Sequence, residues 1–479
     1  MKRWNILMGL QFIIGALICG IFSGCNQKQA AAPSESVKTG QAAPPVNRLQ
    51  WNLNTTVDIY RRGNSVNSAW DQYATNALIE FARARAKAIP RGENFTKIIA
   101  TNSLLAVTAG CNDPLVKYLY VRCYLDNSAE TEALTAAWIQ DATAMNQSTY
   151  PPLRKFYAAF RAMKQYQWAN NYPANHPPEV AAINRQMLDN YQALLADSTV
   201  PVGEIYDATH EFLAIWEGSA QMYQTYYNCI EPILFNNWPA ASESWLIKGE
   251  AYLQMGWQAR GTGFANEVAQ DKWKQFKDKL AIAETAAKQA WALDPSNAAV
   301  ATLMIKLDVG LQRDRADMEM WFKRVMDLTP DNYDACKCKL NYLYPQWYGS
   351  RADMLAFGRV CVANTNWGGY VPIILVDAHS DYNRIATTNE VVRLAYWKKP
   401  DVWPDLKSSY ERFFQLNPDQ TEIYKNYAWY AYQAGQWAEF LRIAEKVRPE
   451  DYDFFGDKAA FPQMLKKAKA NVAESGTNK

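Results

Sequence analysis

The side chains whose chemistry needs placing first are three histidines, the cysteines that follow Cys25, and one arginine set beside a glycine pair. The histidines are His176, His210 and His379. Asp207 and His210 stand three apart in helical sequence and so share a face, where they form either an acid–base couple or a structural hydrogen bond. No serine or cysteine motif completes a triad around them, so the structural bond is expected and no catalytic residue is assigned. His-Glu-x-x-His is absent, and neither a metal site nor a cofactor is expected.

Cys111, Cys123, Cys229, Cys336, Cys338 and Cys361 follow Cys25. If Pro114 to Tyr124 is one helix, Cys111 and Cys123 flank it about 15 Å apart, too far to bridge. Cys336 and Cys338, two apart, point to different helix faces and form neither bridge nor metal clip. These thiols are expected to pack as small apolar side chains.

The arginine is Arg260, in Gly256-Trp257-Gln258-Ala259-Arg260-Gly261-Thr262-Gly263-Phe264, with Trp273 and Phe276 downstream. Gly261-x-Gly263 lacks both the lysine of a phosphate loop and the strand that precedes a dinucleotide fingerprint. The expected role is a turn in which Arg260 pairs with a carboxylate or carbonyl, as a buried arginine must. Aromatic residues are abundant, with 18 Trp, 28 Tyr and 18 Phe. Most are expected in the core, where large aromatics carry packing energy. Trp51, Trp257 and Trp367 are better placed for binding, and Trp257, Arg260, Trp273 and Trp367 are the candidate partner-binding residues.

The elements that must position these residues are helices. From Ala281 to Asn332 one phrase occurs twice: Ala283, Ala287, Ala290 and Leu293 lead into Asp294-Pro295-Ser296-Asn297, and Phe322, Val325 and Leu328 lead into Thr329-Pro330-Asp331-Asn332. Apolar residues at three- and four-residue spacing mark a helix face, and each proline turn opens the next helix. Trp70, Ala74, Ala77, Leu78 and Phe81 form one such stripe, and Phe156, Ala159, Phe160 and Met163 another. The prolines of the first half are expected in first helical turns or just before them.

The sequence opens with Lys2 and Arg3, an apolar run from Ile6 to Phe22, and Ser23-Gly24-Cys25. Phe22-Ser23-Gly24-Cys25 resembles a bacterial lipobox, with Phe22 in place of the usual leucine; the resemblance implies that Cys25 carries the lipid. Asn26, not aspartate, follows it, which favours the outer membrane. Gln27 to Asn47 is rich in Ala, Pro, Ser, Gln and Lys and reads as a disordered tether. Lys plus Arg number 50 and Asp plus Glu 48; without residues 1 to 24 the two are equal. Nucleic acid and a bare anionic membrane both demand a basic surface, so a neutral mature chain argues against either as partner.

Trp245, Gly249 and Tyr252, with Ala283, Ala287, Ala290 and Pro295, resemble a tetratricopeptide repeat, whose period of about 34 residues implies stacked helical hairpins. Trp245 and Pro295 are 50 residues apart, where that pattern implies about 28, so about twenty-two residues are inserted near the turn. Ala109-Gly110-Cys111-Asn112-Asp113-Pro114, running on to Tyr120, and the Trp-x-Ala-Arg-Gly phrase at Trp257 resemble a bacterial family of exported tetratricopeptide-like proteins of unassigned function. That second resemblance covers residues 70 to 360 and implies no particular chemistry.

The expectation is an all-α, tetratricopeptide-like helical-hairpin solenoid. Its parts are a lipoprotein signal peptide (1–24), a tether (25–50), a degenerate helical repeat region (51–240) and a clearer repeat region (241–479) with the insertion at about 257–280. The expected function is that of a non-enzymatic scaffold. It would be anchored in the bacterial envelope through Cys25, face the periplasm or exterior, and hold a protein or peptide. A glycan-binding or glycan-processing lipoprotein is the alternative, marked by solvent-facing tryptophans and, for cleavage, two carboxylates about 5 to 10 Å apart.

Overall fold

Short polar side chains open the helices and proline stiffens their first turns. Asp113 accepts hydrogen bonds from the amides of Leu115 and Val116, with Pro114 in the first turn, and Asn297, Asp314, Asn332 and Ser350 cap later helices in the same way. Pro152 and Pro178 also occupy first turns. Pro232 differs from expectation: it lies inside the helix Ala220–Asn237 rather than at its start.

The computed structural model describes residues 47–63, 67–88, 95–125, 131–171, 173, 175–456 and 459–477. The expected export signal, Cys25, the expected tether as far as Val46, and Pro90 lie outside the described residues. The protein is all-α, with no strand among the described residues. No helix among them is long and apolar enough to cross a membrane.

The chain divides into two compact units between Asp294 and Pro295. The first contains α1 (Arg48–Asn54), α2 (Val57–Gly63), α3 (Asp71–Arg85), α4 (Phe95–Thr108), α5 (Pro114–Cys123) and α6 (Thr131–Gln147). It continues with α7 (Pro152–Ala169), α8 (Pro178–Ala196), α9 (Val202–Ala214), α10 (Ala220–Asn237), α11 (Ser242–Arg260) and α12 (Gln270–Leu293). From α3 to α8 each helix packs on the next; α1 on α3, α3 on α5, α6 on α8, α8 on α10 and α9 on α11 pack one helix further along. Ala74, Ala77, Leu78 and Phe81, and Phe156, Ala159, Phe160 and Met163, are buried, as their spacing requires. The residues of the insertion occupy the end of α11, the loop 261–269 and the first turns of α12, so the extra length forms the tip of a long hairpin.

The second unit contains α13 (Ala298–Leu311), α14 (Arg315–Leu328), α15 (Tyr333–Tyr342), α16 (Arg351–Ala363) and α17 (Ile374–Ala386). It ends with α18 (Glu390–Tyr396), α19 (Val402–Leu416), α20 (Tyr424–Gln433), α21 (Trp437–Ala444) and α22 (Ala460–Thr477). Here α13, α15 and α17 pack in a row, with α14 against α13 and α15, and α16 against α17; α19 to α22 then pack each on the next. Gly435 closes α20 at φ +70°, a left-handed turn residue that lets α21 fold back. Gly358 on α16 sets a closer approach, since a Cβ there would lie 2.7 Å from Leu375 Cα on α17.

Candidate functional site

Two pairs of residues, each one helical turn apart, meet where α15 packs on α17. Tyr333 and Lys337 come from α15, Asp377 and Asp381 from α17. Tyr333 donates its hydroxyl to Asp377 Oδ2 at 2.5 Å. Lys337 Nζ donates to Asp381 Oδ2 at 3.0 Å and stands 3.7 Å from Asp377 Oδ2. Tyr344 donates to the same Asp381 oxygen at 2.5 Å. Burial pushes the Asp377 carboxyl up, against the opposing pull of Lys337 and Tyr333. Burial also raises both phenols, which keeps them protonated as donors. The side chains of Lys337, Asp377 and Asp381 remain 33%, 22% and 16% exposed. The result is a fixed, half-open polar face with lysine and tyrosine hydroxyls already seated on both carboxylates.

His379 lies on the same helix but is fully buried. Its Nδ1 meets the Tyr396 hydroxyl at 2.8 Å and its Nε2 meets Asp405 Oδ2 at 3.0 Å. Arg359 grips the same Asp405 carboxylate through Nε and Nη2. Burial raises the Asp405 carboxyl, but His379 and Arg359 more than offset this and hold it below its ordinary value. With both ring nitrogens engaged inside the protein, this chain acts as a strut joining α16, α17, α18 and α19.

No family model matches this chain, and no curated protein matches it.

At the hairpin tip Arg260 is buried between two rings, its guanidinium carbon 5.7 Å from the Trp257 ring centre and 5.1 Å from that of Trp273. Its Nη1 donates to the carbonyls of Gly261 and Gly263 at 3.0 and 3.2 Å, so Arg260 closes its own loop. Trp257 and Trp273 are half-buried, and both pack on the buried Phe276. Trp367, also half-buried, meets Phe322 edge-on at 5.7 Å in the second unit. Trp51 is half-buried against Arg154. The structure thus brings Trp257, Arg260 and Trp273 together and sets Trp367 apart from them in sequence and unit.

The densest charge in the first unit surrounds Glu204, whose side chain is fully buried. Arg48 donates to its Oε1 at 2.7 Å, Arg85 to its Oε2 at 2.5 Å, and Asn52 to its Oε1 at 2.9 Å. Arg154, also buried, lies between the rings of Trp51 and Phe81 and donates through Nη2 to Asn52 and Thr55; its Nε and Nη1 make no hydrogen bond among the described residues. Burial pushes the Glu204 carboxyl up, yet Arg85, Arg48 and Arg154 together pull it down to about 2. Asp207 joins this cluster through Arg48 and Arg85. It is therefore not directed to His210 as its spacing implies; His210 instead stands 3.7 Å from Glu250.

The six described cysteines are free thiols. No group of three or more His, Cys, Asp or Glu among the described residues could hold a metal ion. Sequence reasoning missed both the α15–α17 face and the Glu204 cluster. The first left a faint local signal, the i,i+4 pairs Tyr333/Lys337 and Asp377/Asp381. The second left none, because its members come from four helices.

Proposed function

We propose that the protein is a lipid-anchored, non-enzymatic scaffold that seats a protein or peptide on a stack of tetratricopeptide-like hairpins. The observation that carries this reading is the row α13, α15, α17, on which half-open polar side chains converge from adjacent helices. Helices that pack each on the next but one, as α13, α15 and α17 do, are the pattern of a repeat array, in which one helix of each hairpin lines a shared surface. Lys337, Tyr333, Asp377 and Asp381 offer that surface fixed donors and acceptors, the kind of polar contact that orients a bound chain. The lipobox-like sequence before Cys25 and the tether after it supply the anchor.

The test is a crosslinking pull-down from intact envelopes with the wild-type protein, a Lys337→Glu variant whose helicity is checked by circular dichroism, and a Cys25→Ala control. One dominant protein partner, lost with Lys337→Glu and displaced from the membrane fraction with Cys25→Ala, is expected. Recovery of glycan, or turnover of a glycosidic substrate by the purified protein, would overturn the scaffold reading.

A further inference from the structure

Phe264 sits at the α11–α12 tip with 78% of its surface exposed, the most exposed large apolar side chain among the described residues. The loop that carries it is tied down: Arg260 holds the carbonyls of Gly261 and Gly263, Glu267 accepts from the Phe264 amide at 2.9 Å, and Trp273 Nε1 donates to the Ala265 carbonyl at 3.3 Å. A loop whose polar groups are satisfied internally while its largest side chain points outward is built to present that side chain. Beside it, α12 begins with Lys272, Lys274 and Lys277, all exposed and forming no ion pair among the described residues. Lys277 lies one turn beyond Trp273 on the same stripe, whereas Lys274 lies one turn from both Asp271 and Asp278 on the other side of the helix.

We propose that this tip is a bilayer contact, in which Phe264 enters the apolar layer, Trp257 and Trp273 lie at the interface, and Lys272, Lys274 and Lys277 meet anionic lipid phosphates. An apolar wedge ringed by tryptophan and lysine is the composition of interfacial membrane elements. The proposal rests on the anchoring part of the scaffold reading, which keeps a bilayer within reach. The α9 helix carries Glu204, bonded to Arg48 at the start of α1, and just past its end the Glu217 carbonyl accepts from Gln258 near the tip. The tether's exit and the tip are thus linked to different ends of the segment that contains α9. The mature chain is neutral overall, and the basic character of this tip is local.

The experiment places the acylated full-length lipoprotein in phosphatidylethanolamine–phosphatidylglycerol vesicles and attaches a bimane at Thr262→Cys, with a second label at Gln289→Cys on the far part of α12 as control and the unsubstituted protein as background. Lipids brominated in their acyl chains should quench the Thr262 label severalfold more than the Gln289 label. Phe264→Ser should abolish the difference, and the Lys272→Glu, Lys274→Glu, Lys277→Glu triple variant or high salt should reduce it. Equal quenching at the two positions, or quenching unchanged by Phe264→Ser, would overturn the proposal; so would crosslinking of the Thr262 position to an envelope protein in place of lipid. Vesicle flotation reads the anchor separately: a chain that fails to float would overturn the anchoring reading itself, while one that floats without selective quenching would overturn the tip alone.

Discussion

Arg85 Nη2 donates to Glu204 Oε2 at 2.5 Å, joining α3 to α9 across 119 residues of chain. Together with Arg48 and Asn52 it gives both oxygens of a fully buried carboxylate a donor. A buried charge held this way is costly to break from one side, because the remaining partners keep their desolvation cost.

Glu204 should make stability fall in acid. Its folded carboxyl titrates at about 2 against an ordinary 4.5, so the unfolded chain takes up the proton first as pH drops. The stabilisation is complete above about pH 5 and lost as pH falls toward 2, on the order of 3 kcal/mol. Urea titrations of wild type and Glu204→Gln should differ by that order at pH 7 and converge only as pH falls to about 2.

Arg154 is buried with two of its nitrogens unbonded among the described residues, and burial pushes its guanidinium down to about 10. Arg154→Ala removes the charge and opens a cavity between Trp51 and Phe81, at a cost of roughly 3–5 kcal/mol. Arg154→Met fills the same space without a charge and should cost less than half as much. Equal losses in the two variants, measured by urea unfolding, would show that charge rather than volume matters here.

Asp141 presents the opposite pH dependence. It is buried, neither carboxylate oxygen has a hydrogen-bond partner among the described residues, and burial pushes its carboxyl well up despite Lys117. The unfolded chain loses this proton first as pH rises, so wild-type stability declines from about pH 4 upward. Asp141→Asn cannot ionise. Thermal melts should show the variant gaining on wild type between pH 5 and 8, by about 1–3 kcal/mol, and losing that advantage near pH 4.

Gly358 is required by contact. A methyl group there meets the backbone of Leu375, which cannot swing aside as a side-chain end would. Gly358→Ala should destabilise the second unit by about 1–3 kcal/mol despite alanine's better helix propensity. Hydrogen exchange at α16 and α17 should rise while the first unit is unchanged.

What was legible in the sequence is what neighbours in the chain decide. The cap at Asp113, the turn at Gly435 and the apolar stripe from Ala74 to Phe81 each follow from residues within a few positions of one another. Arg260 was readable for the same reason, since it bonds carbonyls one and three residues away. The Asp207–His210 spacing misled because Arg48 and Arg85, distant in sequence, outcompete a helical neighbour for the carboxylate. Pro232 misled because a proline signal does not reveal whether surrounding packing carries a helix through it.

The bond from Arg48 to Glu204 also sets an order of events. The chain emerges from its N-terminus, and 156 residues separate the two partners. At ordinary elongation rates α9 follows α1 by roughly 10 to 30 s. Until then Arg48, Arg85 and Arg154 lack the Glu204 carboxylate, and α1 has no such partner on which to dock. A chain paused or cut before α9 therefore holds three guanidiniums that favour water over burial.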